Sequence, residues 1–183
     1  ERIAYRSNAD GDNDIWIASA DGSGAPANVI DNPHAIGQPA WSPDGLSLAV
    51  AREDASDGNL ELGVTDPDAE NPFVFGLTDP DSAIHDQYPA WSPGGRRIAF
   101  TRGPTNQADV YVVHMDGTGP QRLTRTTANE VTPDWSPDGR RIVYTSARDG
   151  NGELYIIDLE TGEEQRLTRS RASEVTPRFL PRP

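Results

Sequence analysis

Trp-Ser-Pro occurs three times, beginning at Trp41, Trp91 and Trp135, with spacings of 50 and 44 residues. A degenerate fourth copy, Pro177-Arg178-Phe179-Leu180-Pro181, puts an aromatic 44 residues past Trp135. A fixed period in the forties means one supersecondary unit copied along the chain. In the third copy, Pro133-Asp134-Trp135 is short and extended. Pro137-Asp138-Gly139 is a turn, in which Pro sets φ and Gly accepts positive φ. Arg141–Thr145 and Glu153–Ile157 read as strands rich in β-branched and aromatic residues, and the more polar Gln165–Thr168 as an outermost strand. The unit is an antiparallel four-strand meander.

The copies align strand by strand. Ile3-Ala4-Tyr5, Leu48-Ala49-Val50, Ile98-Ala99-Phe100 and Ile142-Val143-Tyr144 are equivalent second strands. Ile15-Trp16-Ile17, Leu60-Glu61-Leu62, Val110-Tyr111-Val112 and Leu154-Tyr155-Ile156 are taken as equivalent third strands, opened by Asp14, Asn59, Asp109 and Glu153. Strands this apolar need cover on both faces, so the units stack. No segment has a helical period, and Pro and Gly recur at short intervals. The expected fold is an all-β β-propeller of four-stranded antiparallel blades, in one domain over residues 1–183. Its four blades span approximately 1–31 plus 175–180, 38–78, 88–124 and 132–168. The repeated Trp is read as an inter-blade core residue.

Pro-x-Trp-Ser-Pro-Asp-Gly, Arg-Arg-Ile-Ala-Phe-Thr, Asp-Val-Tyr-Val-Val and Arg-Leu-Thr resemble the repeats of TolB-type propellers, from Arg2 to Pro181. Related repeats occur in the propeller domains of prolyl-oligopeptidase-like peptidases. The resemblance implies ring closure in which the terminal strand, Val175-Thr176-Pro177-Arg178-Phe179, completes the blade that contains Ile3. An unclosed blade would leave an open sheet edge. Three arrangements stay open: a small four-bladed ring, two chains sharing strands in an eight-bladed homodimer, and a piece of a longer propeller.

The formal net charge of −13 makes nucleic acid and anionic membrane poor partners. There are no cysteines, which excludes disulfides, thiolate metal sites and thiol nucleophiles. No stretch reads as a membrane span. A hydrolase would need a Gly-x-Ser-x-Gly elbow with His and Asp partners, and none is present. The chain is therefore read as non-enzymatic, with no cofactor except a candidate calcium loop at Asp10, Asp12 and Asp14, which have the alternating oxygen spacing of such loops.

Binding candidates lie on the loops before each first strand. Asp86, Glu130 and Glu174 each precede the strand's proline by three residues and are expected to form an acidic rim. His34 and His85 sit in comparable loops. Asp134 and Arg178 occupy the position between Pro and the aromatic, and are expected to face a polar central channel, where they pair or hold a ligand. The resemblance to TolB-type propellers implies a module that binds a protein or peptide in the periplasm or a secreted compartment. The alternatives are a substrate-gating propeller associated with a peptidase and a metal-dependent glycan-active propeller.

Overall fold

The computed structural model describes residues 1–9, 11–31, 37–53, 58–69, 75–78 and 84–180. It contains fifteen strands in four antiparallel sheets and, among the described residues, no helix. The first sheet holds β1 (Arg2–Ser7), β2 (Asp14–Ser19) and β3 (Ala27–Ile30). The second holds β4 (Ala40–Trp41), β5 (Leu48–Glu53), β6 (Leu60–Thr65) and β7 (Phe75–Gly76). The third runs β8 (His85–Trp91), β9 (Arg97–Gly103), β10 (Asp109–His114), β11 (Gln121–Arg122). The fourth runs β12 (Glu130–Trp135), β13 (Arg141–Ser146), β14 (Glu153–Asp158), β15 (Glu164–Arg166). Each sheet is a meander in chain order, as short turns between neighbouring strands require.

The repeated motif makes the turn between the first two strands. Ser42 Oγ donates to Asp44 (2.5 Å) and accepts the Ser47 N–H (2.9 Å), while Gly45 N–H donates to the Ser42 carbonyl (2.9 Å) at φ 72°. Ser136, Asp138, Gly139 and Arg141 repeat this set at 2.6, 2.9 and 2.8 Å. The serines are buried, so their hydroxyls replace solvent for backbone donors that the turn leaves over.

The Trp residues join the blades. Trp91 Nε1 donates to the Ala40 carbonyl of the preceding blade, and Trp135 Nε1 to the Ala90 carbonyl, both at 3.0 Å. Arg97 covers Trp135 at 4.7 Å and Arg2 covers Trp41 at 4.7 Å. Three apolar clusters fill the seams. Ile15 and Ile17 meet Leu48 and Val50. Ala51 and Leu62 meet Ile98 and Phe100. Val110 and Val112 meet Trp135 and Tyr144.

Two expectations change. The third strand of the second blade is offset by two residues. Val50 faces Gly63 as Phe100 faces Tyr111, so Leu62-Gly63-Val64 is the equivalent of Val110-Tyr111-Val112, and Glu61 rather than Asn59 matches Asp109. A shift of two keeps every side chain on its own face, so the apolar alternation is the same in either alignment. The closing strand is also not formed. Residues 171–180 make no strand, and among the described residues β1 pairs only with β2. Glu174 N–H instead donates to the Gly152 carbonyl (2.6 Å), the bond that Glu130 makes to Ala108 (2.8 Å) one blade earlier. This hydrogen bond seats the tail against the fourth blade in the place that Glu130 takes against the third.

Candidate functional site

The inner strands converge on a polar pocket of about 270 Å³. Blade two contributes Gln38 and Trp41, blade three Tyr88 and Trp91, blade four Asp134, and the tail Arg178. The chain reaches this point through a bulge in each complete inner strand, between Gln87 and Ala90 and between Val131 and Asp134. Tyr88 and Thr132 sit in the bulges at φ 54°, and Thr176 adopts φ 53° at the matching place in the tail. Non-glycine residues at positive φ store strain. The residues on either side of each bulge, Tyr88 and Trp91 in one strand and Thr132 and Asp134 in the other, line the pocket.

Asp134 and Arg178 both line the pocket, but they do not pair. Asp134 Oδ2 accepts the Phe179 N–H at 2.6 Å and so anchors the tail. Arg178 donates to its own neighbour, the Pro177 carbonyl, at 3.1 Å. Among the described residues no carboxylate forms an ion pair with it. The pocket therefore combines an exposed cation, aromatic walls and a carboxylate already in use.

The acidic rim is not there. Asp86 has 0% exposure and is gripped by Arg102 through both carboxylate oxygens, at 2.7 and 2.6 Å. Glu130 also has 0% exposure, and is bonded to Thr126 (2.6 Å), Ser146 (3.0 Å) and Arg148 (3.2 Å). Burying a carboxylate is costly unless it is paired. Their partners lie 16 and 18 residues downstream, in the second strand and the turn after it. Each of these arginines also stacks on aromatics: Arg102 on Phe100 (5.4 Å) and Tyr111 (5.6 Å), Arg148 on Tyr155 (4.3 Å). The Asp86 hydrogen bond raises the Arg102 pKa above its ordinary value. Glu174 alone of the three remains half-exposed.

His85 is half-buried, and its Nδ1 accepts the Leu60 N–H at 3.2 Å across the seam between blades two and three. It lines a second pocket of about 190 Å³ with Gln87, Tyr88, Thr101 and Asn129. His34 and Asp10 lie outside the described residues. Asp14 is fully buried at the start of β2 and accepts Asn28 Nδ2 at 2.8 Å, while Asp12 is half-exposed in the hairpin. Among the described residues no three acidic or histidine side chains converge on a metal position.

A feature missed from sequence is the clasp at the outer edge of blades three and four. Asp109 is held by Arg122 (2.5 Å) and Thr124 (3.0 Å); Glu153 by Arg166 (3.1 Å) and Thr168 (2.6 Å). The threonine hydroxyls also accept the Val110 and Leu154 N–H groups. The recurring Arg-Leu-Thr triplet was the signal. Its Arg and Thr face the buried acid, and in the third blade its Leu123 packs into the seam with the fourth. The Thr168 hydroxyl and then the Ser170 N–H lower the Glu153 pKa to about 2.

A profile of the TolB β-propeller domain matches residues 81–183. The Tol-Pal system protein TolB of Desulfosudis oleivorans is 32% identical over 125 residues, which is 68% of this chain and 27% of that protein. The chain thus spans about a quarter of the length of the curated relative it matches. TolB from Acinetobacter baumannii superposes with a TM-score of 0.81 at 23% identity, over 97% of this chain and 44% of its own. A puromycin-hydrolysing peptidase of Mycobacterium tuberculosis superposes with a TM-score of 0.73 at 16% identity, over 96% of this chain and 29% of its own. At these identities the two solved structures speak for the fold alone.

Proposed function

This chain belongs to the TolB β-propeller domain family, and from that premise we propose that it is a non-enzymatic binding module whose axial pocket holds an extended segment of a partner protein. The observation that carries this reading is Arg178, an exposed guanidinium among Trp41, Tyr88 and Trp91 with no carboxylate pairing it among the described residues. A side-chain or terminal carboxylate on an extended peptide matches that cation, and aromatic walls suit its apolar neighbours. The partner is a protein, and the compartment is the periplasm, in keeping with a relative named for the Tol-Pal system. Gating of a peptidase is the less supported reading, because the likeness to peptidase propellers is one of fold.

Affinity capture from periplasmic extract tests the proposal. The wild-type chain is expected to retain a discrete protein at low salt, and Arg178→Glu to lose it while keeping the β-sheet circular-dichroism spectrum. If nothing is retained, or if Arg178→Glu retains the same protein equally well, the reading fails.

A further inference from the structure

The pocket of about 190 Å³ beside His85 lies in the seam between blades three and four. Among the described residues it shares only Tyr88 with the axial pocket. Its walls are fixed by latches between blades. His85 Nδ1 accepts the Leu60 N–H, and Asn129 Oδ1 accepts the Ala108 N–H at 3.1 Å from the equivalent place one blade on. Glu130 N–H holds the same hairpin through the Ala108 carbonyl (2.8 Å). The hairpin tip is closed by the Gln107 N–H on the Pro104 carbonyl (3.0 Å), with Asn106 at φ 66°. Walls held in this way need little ordering when a ligand arrives.

Each latch uses one polar atom and leaves another. With Nδ1 accepting, the neutral His85 ring carries its proton on Nε2. Among the described residues no hydrogen bond engages that Nε2, the Asn129 Nδ2, or the side-chain amides of Gln87 and Asn106. All four side chains line the pocket.

The chemistry of the lining excludes most ligand classes. Among the described residues no arginine or carboxylate lines it, so an anion meets no cation there and a cation no carboxylate. The acids nearest in sequence, Asp86 and Glu130, are buried and held by Arg102 and Arg148. An apolar ligand would cover the amides without pairing them, which is unfavourable for each group covered. Amides that donate and accept side by side match a ligand whose own groups do both, and hydroxyls are of that kind. The Tyr88 ring adds an apolar surface for the C–H face of a sugar. About 190 Å³ falls below the roughly 300–1,000 Å³ of sites for drug-sized ligands, which limits the occupant to a single ring.

We propose that this seam pocket binds one uncharged sugar ring, held by Gln87, Asn106, Asn129 and His85 against Tyr88. The site is separate from the axial pocket and does not depend on what that pocket holds.

NMR titration of the isotope-labelled chain with glucose, galactose, mannose and N-acetylglucosamine tests this. At least one of these sugars is expected to shift the side-chain amide signals of Gln87 and Asn129 at millimolar concentration. Glucuronate and glucosamine, which put a charge on the same ring, are expected to bind about tenfold more weakly. Gln87→Leu and, separately, Asn106→Gly, which keeps the left-handed turn, are each expected to weaken binding about fivefold, the worth of one hydrogen bond. Arg178→Glu, which alters only the axial pocket, leaves sugar binding unchanged, so the two sites stand or fall separately. No shift with any of the four sugars, equal binding of the charged analogues, or undiminished binding in either pocket variant that keeps the parent circular-dichroism spectrum would each overturn the proposal.

Discussion

Replacing Arg102 by Met isolates the cost of a buried charge in this fold. Asp86 has 0% exposure, and Arg102 supplies both of its guanidinium hydrogen bonds, at 2.7 and 2.6 Å. Met keeps the aliphatic stem against Phe100 and Tyr111 but strands the carboxylate. Removing one partner of a buried pair costs about 3–5 kcal/mol. That is a large share of the roughly 5–15 kcal/mol that keeps a domain folded. It lowers Tm by about 6–20 °C at the sensitivity expected for this size. Adding Asp86→Leu removes the stranded charge, and the double variant is expected to return to within about 1 kcal/mol of the parent. Urea denaturation followed by tryptophan fluorescence reads both. A single-variant loss below about 1.5 kcal/mol, or a double variant as unstable as the single one, would refute the view that the charge is truly buried.

Glu153 has its pKa lowered to about 2, chiefly by the Thr168 hydroxyl, so its stabilisation is full above the ordinary value of 4.5 and is lost as pH falls from there to about 2. Glu153→Gln should flatten the acid limb of a stability-versus-pH curve over that window, and an unchanged slope would count against the clasp. Gly117 has φ +80°, and a Cβ there would stand 2.9 Å from the Leu77 carbonyl oxygen of the neighbouring blade. Gly117→Ala should therefore cost about 2–4 kcal/mol. Gly150→Ala, at φ +93° with open space around it, should cost about 1–2 kcal/mol. Equal losses in the two would mean that the seam yields.

The blades were legible in the chain because Trp-Ser-Pro-Asp-Gly meets the same packing and turn requirement each time. Ser42 and Ser136 make identical bonds, and Trp91 and Trp135 take identical carbonyls. The offset in blade two was not legible, since Leu60, Leu62 and Val64 alternate in a way that a shift of two leaves intact. Asp86 and Glu130 looked like an open rim because burial of an acid depends on where a distant arginine folds back. Tyr88, Thr132 and Thr176 carry no mark of positive φ, as none is a glycine. That Asp134 and Arg178 line one pocket could be read from their place between Pro and the aromatic; that they hold a ligand there is a proposal. The bond from Phe179 to Asp134 could not be read, because it depends on the tail seating against blade four.

The two bonded indoles, Trp91 and Trp135, point the same way along the chain. Trp91 reaches back to a carbonyl placed 51 residues earlier, and Trp135 to one placed 45 residues earlier. During synthesis on a ribosome, each latch therefore closes on chain that has already emerged. Assembly can advance from the amino terminus as a zipper does, with little need to hold unfinished sheets open for sequence still to come.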